Sequence, residues 1–262
     1  MIRTRSAVPV SMAALLLIAL GSCAGADAPS RGDTHESASK DRPLRVCMLS
    51  GSLEYKSDAS LQAYKNDLEK RYDVRCTLLR RRAKDELPGL EALADCDVAI
   101  LFTRRMTIDG QDLEHIKTYC LSGKPIVGIR TASHGFQKWL ALDRQVLGGN
   151  YKGHYGSGPI CKIAIRSEAK DHPILAGFKP YESVGSLYRN TGLAKDTTVL
   201  LTGWIPEHTE PIAWTRVYKG GRVFYTSLGH PEDFRNEGFC RMITNALFWV
   251  AQRDVPQPKS GR

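Results

Sequence analysis

Four short apolar runs, separated by amphipathic segments, constrain the fold of this chain more than any other feature. The run Asp97–Thr103 (DVAILFT) is continuously apolar from Val98 to Phe102, which is typical of a strand buried on both faces of a parallel sheet. Three further strands are predicted over Leu44–Gly51, Val74–Arg80 and Pro125–Arg130. Because strands that alternate with helices need right-handed crossovers, these runs predict an α/β domain with a doubly wound, mostly parallel sheet.

The segments between these strands carry helix signals. Asp58 is a candidate N-cap for a helix that runs to about Tyr72, with apolar residues at every third or fourth position. Asp109 precedes a second such segment, which ends at Gly123. The residues after the fourth strand, Ala132–Leu142, predict a further helix.

The second half of the sequence is richer in β-type segments. The turn Lys219-Gly220-Gly221 predicts a hairpin, and Phe239–Ala251 predicts a closing amphipathic helix. Strands are predicted over Ile160–Ile165, Thr198–Thr202, Ile212–Tyr218 and Arg222–Leu228. We therefore expect one α/β domain over residues 43–253, with an added β-rich C-terminal part and a short tail at 254–262.

The N-terminus has the pattern of an export signal. Arg3 and Arg5 precede the apolar run Ala7–Leu20, which is short for a membrane span. The run ends in Leu20-Gly21-Ser22-Cys23, which resembles a bacterial lipoprotein cleavage box and implies that Cys23 is lipidated. An ordinary signal peptide with an incidental cysteine is the alternative. In both cases residues 1–23 direct export, and the polar residues 24–42 predict a flexible linker.

The formal net charge of +9 raises the question of an anionic partner. Part of the excess lies in Arg80-Arg81-Arg82 and in Arg104-Arg105. An exported protein rarely meets nucleic acid, so we expect no nucleic-acid partner. A solvated basic face, or attraction to anionic lipid or polysaccharide, accounts for the charge instead.

Polar residues follow several of the predicted strands. Ligands of doubly wound sheets bind beyond the carboxyl ends of the strands. The residues expected at that edge are Ser50-Gly51-Ser52, Thr103-Arg104-Arg105, Arg130–His134 and, if the last strand is parallel, Gly229–Asp233.

Two of these stretches suggest a modified triad. His230 and Glu232 directly follow a strand end, as do the base and the orienting acid of a Cys-His-Glu triad. The run Lys124–Arg130 has the shape of a nucleophile elbow, but Arg130 stands where the cysteine would be. His230 and Glu232 are therefore a base with its orienting acid, a pair of metal ligands, or a purely structural hydrogen-bonded pair.

The two motifs together resemble the class I glutamine amidotransferase-like superfamily. Within it, the chain is similar to ThuA-like (trehalose utilisation) domains. The supporting stretches are Gly128–Phe136, Gly148–Gly156, Pro211–Arg216 and Gly221–Phe234. The resemblance implies a flavodoxin-like sheet and a role in disaccharide or keto-sugar metabolism.

Arg130 cannot act as a nucleophile, because guanidinium stays protonated. Amidotransfer through a cysteine is therefore not expected. Arg130 would stabilise an enolate or alkoxide, or clamp an acidic ligand; alternatively it forms a salt bridge to Glu232 or to another acid. Ser133 is either a displaced nucleophile, with His134 or His230 as its base, or the cap of the next helix.

A glycine-rich loop, Gly148–Gly158, supplies further candidates. It carries Tyr151, His154 and Tyr155, which together with Ser133 and His134 would line a carbohydrate pocket. A structural surface loop is the alternative. Tyr188 is another ring that could stack on a sugar.

Three functions remain open from the sequence. In the first, His230 acts as a general acid/base on a disaccharide or keto-sugar, oriented by Glu232 and assisted by Arg130. In the second, the domain binds carbohydrate without turnover. In the third, a divalent metal held by His134, His154 and His230 supports hydrolysis, with Glu232 as a further candidate ligand.

Overall fold

The computed structural model describes residues 42–156 and 158–257. Within these residues, nine strands form one mixed sheet. Their bounds are β1 Leu44–Gly51, β2 Val74–Arg80, β3 Val98–Thr103, β4 Ile126–Ile129, β5 Cys161–Ile165, β6 Glu182–Ser183, β7 Thr198–Ile205, β8 His208–Tyr218 and β9 Gly221–Thr226.

Three α-helices occur in the described part of the chain. They are α1 Ser57–Arg71, α2 Gly110–Leu121 and α3 Glu237–Val250. The Asp109 side chain accepts a hydrogen bond from the Gly110 N–H, so the predicted cap of α2 forms. The cap of α1 is not Asp58 but Lys56, one residue before the helix begins.

The strand order is β2-β1-β3-β4-β9-β8-β7-β5-β6. The five strands β2, β1, β3, β4 and β9 are parallel, and their order is that of flavodoxin-like sheets. The remaining four strands pair antiparallel and extend one side of the sheet. The predicted α/β fold, with its added β-rich C-terminal part, is therefore confirmed.

The inner parallel strands β1, β3 and β4 are buried on both faces. Consecutive residues of β1, Met48 and Leu49, enter different hydrophobic clusters because strand side chains alternate between faces. Leu61 of α1 and Ile243 of α3 pack with Met48 on one face. Ile116 of α2 packs with Leu49 on the other. This two-sided packing fixes the carboxyl ends of the strands at one edge.

The helix predicted over Ala132–Leu142 is wrong. A short 3-10 turn spans Arg130–His134, and the chain then pairs with the loop after β3. The Met106 N–H donates to the Gly135 carbonyl, and the Gln137 N–H donates to the Met106 carbonyl, both at 2.8 Å. The main chain that a helix would have used is therefore engaged in a tertiary contact.

The export signal with Cys23, residues 24–41 of the linker and residues 258–262 of the tail lie outside the described residues. Among the residues that the structure describes, no helix is long and apolar enough to cross a bilayer.

Candidate functional site

The turn after β4 keeps the backbone of a nucleophile elbow. Arg130 has a φ of 47°, a left-handed conformation that non-glycine residues adopt at a cost. Its carbonyl accepts hydrogen bonds from the Tyr225 hydroxyl at 2.6 Å and from Ser133 Oγ at 3.3 Å. These contacts hold the strained turn in place, although the residue at its apex cannot be a nucleophile.

The Arg130 side chain is buried between two aromatic rings. Its guanidinium carbon lies 4.3 Å from the centroid of Tyr55 and 4.8 Å from that of Tyr188, both in cation–π geometry. One nitrogen donates to the Ser227 carbonyl at 2.6 Å. The other donates to the Tyr55 hydroxyl and to Ser186 Oγ, each at 3.2 Å, and to the Ser186 carbonyl.

All of these partners are neutral, so the predicted alternative of a salt bridge from Arg130 to Glu232 is wrong. The Glu232 carboxylate instead accepts from Arg235 at 2.9 Å. Nε of Arg130 is buried and has no hydrogen-bond partner within the described residues. The buried positive charge is therefore held mainly by dipoles and ring faces, and the buried Asp233 acts on it through space without a hydrogen bond among the described residues.

A cavity of about 470 Å³ opens in front of these rings, at the carboxyl ends of β1, β3 and β4. Its volume suits a mono- or disaccharide. Arg130 is not among its lining residues, because Tyr55 and Tyr188 stand between. The lining consists of Glu54, Tyr55, Arg104, Arg105, His134, Tyr151, Lys152, Gly153, His154, Tyr188 and Arg189.

His134 forms the inner wall of this cavity as a neutral imidazole. Its ring stacks on Tyr151 with 4.3 Å between centroids. Burial, together with the positive charges of Arg105 and Arg104, lowers the pKa of His134 to about 3. Because Ser133 Oγ donates to the Arg130 carbonyl, the His134 Nδ1–H donates to Ser133 Oγ across 3.1 Å, and Nε2 keeps its lone pair.

The glycine-rich loop brings Tyr151 and His154 to the cavity. The Tyr151 N–H donates to the Asp143 carboxylate at 2.8 Å, which anchors the start of the loop. His154 forms a β-bridge with Tyr188, so two distant segments meet at the opening. The His154 Nδ1–H points at the Gly156 carbonyl, 3.4 Å away, which leaves Nε2 as a proton acceptor.

Titration of Asp143, which anchors the loop, should make the free energy of unfolding depend on pH. Burial raises the pKa of Asp143 to about 6, and its second carboxylate oxygen has no hydrogen-bond partner within the described chain. A carboxyl whose folded pKa lies above its unfolded value binds its proton more tightly in the folded state. The free energy of unfolding should therefore fall by roughly 2–3 kcal/mol between about pH 4 and pH 7.

In Asp143→Asn the acceptor for the Tyr151 N–H is kept and this titration is removed. We expect the variant to match the wild type near pH 4 and to be more stable above pH 6. Urea denaturation across this range measures the difference, with the exposed Asp171→Asn as the control. A difference that stays constant with pH would contradict the assignment.

Two of the predicted lining residues lie elsewhere. Ser133 is buried behind His134, and no helix follows for it to cap. Tyr155 stacks on His208 with 3.8 Å between centroids and donates its hydroxyl to Glu210 at 2.8 Å. Tyr155 therefore braces the base of the loop, outside the lining of the cavity.

His230 also lies outside the lining. Its ring meets the edge of Tyr55 at 6.2 Å, and its Nδ1 accepts from the Glu232 N–H at 3.3 Å. Burial lowers the pKa of His230, while Asp233 opposes that shift. Asp233 accepts from the N–H groups of Gly229 and His230, so Asp233 and the Glu232 backbone hold this turn, whereas the Glu232 carboxylate binds Arg235.

The residues do not fit a metal centre. No group of three His, Cys, Asp or Glu side chains is placed to hold an ion, as far as the structure describes the chain. Of the three histidines predicted as ligands, His134 and His154 line the cavity and His230 does not. The lone pairs of the two lining imidazoles are thus available for proton transfer or hydrogen bonding.

Several lining residues were not predicted from the sequence. Glu54 and Tyr55 belong to a 3-10 turn that follows β1, close to the predicted edge stretch Ser50-Gly51-Ser52. Lys152 and Arg189 meet because the Lys152 N–H donates to the Arg189 carbonyl at 2.9 Å. Lys152 lies in the predicted loop and could have been found there. Arg189 is 37 residues away in sequence and carries no comparable signal.

Solved structures with the same fold include ThuA-like proteins. A ThuA-like protein from Parabacteroides merdae is 16% identical with a TM-score of 0.63, covering 82% of this chain and 92% of that chain. One from Bacteroides uniformis is 16% identical with a TM-score of 0.60, covering 82% and 94%. A cytoplasmic protein from Salmonella typhimurium is 14% identical with a TM-score of 0.56, covering 79% and 99%.

A search of curated proteins found no match to the sequence. The model of the ThuA family, described as trehalose utilisation, matches residues 45–250, which is most of the chain and includes every residue that lines the cavity. Together with the strand order and the elbow at Arg130, this match identifies the chain as a member of the ThuA family.

Proposed function

We propose that this ThuA-family protein binds a disaccharide or keto-sugar in the cavity and changes it by acid–base chemistry. The main support for this proposal is that two histidines and three arginines line one cavity. They are His134, His154, Arg104, Arg105 and Arg189. The rings of Tyr55, Tyr151 and Tyr188 add flat faces of the kind on which sugars stack.

His154 is the acid–base group in this proposal. In a keto-sugar, its Nε2 would take a proton from the carbon next to the carbonyl, and the electron pair of that C–H bond would form an enolate. The imidazolium would then return the proton to the former carbonyl carbon, while the neighbouring hydroxyl proton passes to the enolate oxygen, which gives the isomeric carbonyl sugar. Arginine side chains at the cavity would stabilise the charge on the enolate oxygen. His134 stays neutral and would hydrogen-bond a sugar hydroxyl. His230 touches Tyr55 only at its edge and would act as a positioning residue.

Turnover of a singly oxidised keto-disaccharide, followed by NMR with the full chain, tests this proposal, and trehalose, which has no carbonyl, is the sugar on which the step should not act. We expect His154→Gln to lower the rate about 10²–10⁴-fold. His230→Gln should lower it less, and His115→Gln, on α2, should not change it. No product from any sugar in a broad screen, or full activity in His154→Gln, would count against it.

A non-catalytic carbohydrate-binding module is the second candidate. It is favoured by Arg130 at the nucleophile position and by the Glu232 carboxylate, which binds Arg235 rather than His230. If it is correct, a sugar should raise the melting temperature of the protein without giving any product. This stabilisation should be the same in His154→Gln if His154 only shapes the cavity wall.

We also propose that residues 1–23 direct export and that Cys23 carries a lipid anchor. The supporting pattern is Leu20-Gly21-Ser22-Cys23 after an apolar run. The full chain should then partition with membranes, and Cys23→Ser should move it to the soluble fraction. Equal partitioning of the two would refute the anchor.

A further inference from the structure

The charge of the cavity does not suit a neutral sugar. Four cationic side chains, Arg104, Arg105, Lys152 and Arg189, face one carboxylate, Glu54. Counted over these five side chains, the lining therefore carries three positive charges in excess of its one negative charge. The carboxylate is itself engaged, since Glu54 Oε2 lies 2.5 Å from Arg104 Nε.

Within the described residues, the other three cations have no acidic partner. Among the ion pairs of the described residues, Arg104 pairs with Glu54, but none involves Arg105, Lys152 or Arg189. All three side chains are exposed at the cavity. Arg189 lies over the Tyr155 ring at 5.6 Å, which orients it without neutralising it.

A second positive layer lies behind the rings. Arg130 is 1% exposed and has only neutral hydrogen-bond partners, and its charge sits between Tyr55 and Tyr188, which both line the cavity. The field of this buried charge is less screened by water than that of a surface charge. Burial is the main cause of the low pKa of His134, and the charges of Arg105, Arg104 and Arg130 lower it further.

The backbone adds a constraint that favours a functional arrangement. Arg105 has a φ of 46°, and its N–H donates to the His134 carbonyl at 3.0 Å. A left-handed backbone conformation at a non-glycine residue lowers the stability of the fold, and here that conformation holds the cation of Arg105 beside His134. A guanidinium group can donate two parallel hydrogen bonds to two oxygens of one carboxylate or phosphate group.

We propose that the ligand of this cavity is an anionic sugar, one that carries a carboxylate or a phosphate group. This inference rests on the proposed carbohydrate function and specifies its substrate class. The anionic group binds between Arg105, Lys152 and Arg189, and the sugar ring lies against Tyr151 and Tyr188. A keto-sugar bound in this way presents the carbon next to its carbonyl to His154 Nε2 and a hydroxyl group to His134 Nε2.

Isothermal titration of the full chain with glucose, glucuronate and glucose 6-phosphate tests the inference. At low salt we expect at least one anionic sugar to bind about 10–100-fold more tightly than glucose. The glucuronate and glucose 6-phosphate arms show whether carboxylate or phosphate is preferred. The advantage should shrink as salt is raised from about 20 to 200 mM.

Arg189→Gln and Arg105→Gln should each remove most of the anion preference. Arg75→Gln removes the same charge from an exposed position on β2 and should leave it intact. Because Arg189 is exposed, its variant should fold normally, which circular dichroism checks. Loss of the preference in Arg75→Gln as well would mean that only overall charge matters, and would overturn the inference.

Two further outcomes separate this inference from the proposed function. Equal binding of all three sugars, or no binding of either anionic sugar, overturns the anionic ligand, and equal binding leaves the carbohydrate function standing. Binding of inorganic phosphate as tight as that of glucose 6-phosphate would overturn the anionic sugar as the ligand, because the sugar ring would then contribute nothing, although the anion site itself would stand.

Discussion

Arg130→Ala is expected to lower the free energy of unfolding by about 3–5 kcal/mol. The substitution empties the space between Tyr55 and Tyr188 and removes both cation–π contacts. It also leaves the buried Ser227 carbonyl without its 2.6 Å hydrogen bond. Urea denaturation followed by tryptophan fluorescence and circular dichroism measures the loss.

Arg130→Gly should be more stable than Arg130→Ala by about 1 kcal/mol. Alanine keeps the strained φ of 47° without the contacts that offset it, whereas glycine adopts that φ without strain. In a strand or helix the order would be reversed, since alanine normally stabilises relative to glycine. The comparison therefore isolates the elbow strain from the packing of the side chain.

Arg75→Ala serves as the control, because Arg75 is an exposed arginine on β2. It should change stability by no more than about 0.5 kcal/mol. If the loss of stability in Arg130→Ala is no larger than that, the buried arginine does not stabilise the packing of Tyr55 and Tyr188. If Arg130→Gly is less stable than Arg130→Ala, the strain at the elbow is not real.

The fold was predictable because its signals are local. The buried run Val98–Thr103 and the alternation of strands with helices follow from side-chain periodicity and hydrophobicity. The ends of β7 and β8 were less well predicted. Residues 203–211 are polar or small at several positions but still pair across the hairpin, so sheet pairing overrides weak local preference there.

The prediction of a helix over Ala132–Leu142 was wrong because here, too, a tertiary contact overrides the local preference. Its local pattern suits a helix, but the carbonyls of His134 and Gly135 accept from Arg105 and Met106 of the loop after β3. Such a contact joins segments about 30 residues apart and leaves no trace in a short sequence window. The same pairing places His134 beside Arg105 at the cavity.

The sequence predicts which residues lie at the edge of the sheet that carries the site, but it does not predict the direction in which their side chains point. Topology rules place the ends of β3 and β4 together, so Arg104, Arg105 and His134 were expected to be neighbours. Whether Arg130 faces outward or inward depends on its φ and on the rings that enclose it. Neither can be inferred from the residues around Arg130 alone.

Gly229→Ala should be the second most damaging of these substitutions, with a loss of about 3–4 kcal/mol. Gly229 precedes His230 and has a φ of 127°, a conformation reserved for glycine. A Cβ added there would lie 2.6 Å from Cγ2 of Ile129, closer than carbon atoms approach. The strain and the clash act on the turn that Asp233 holds through the N–H groups of Gly229 and His230.

Gly220→Ala separates the two contributions. Gly220 has a φ of 86°, but a Cβ there meets nothing within 4 Å, so its variant should lose only about 1 kcal/mol from backbone strain. In the double variant Ile129→Ala/Gly229→Ala the clash is relieved, and the loss should be smaller than the sum of the two single losses. Additive losses would mean that the turn moves away from β4 at little cost. His230 would then be free of the elbow, and the contact of its ring with Tyr55 would play no part in positioning the cavity wall.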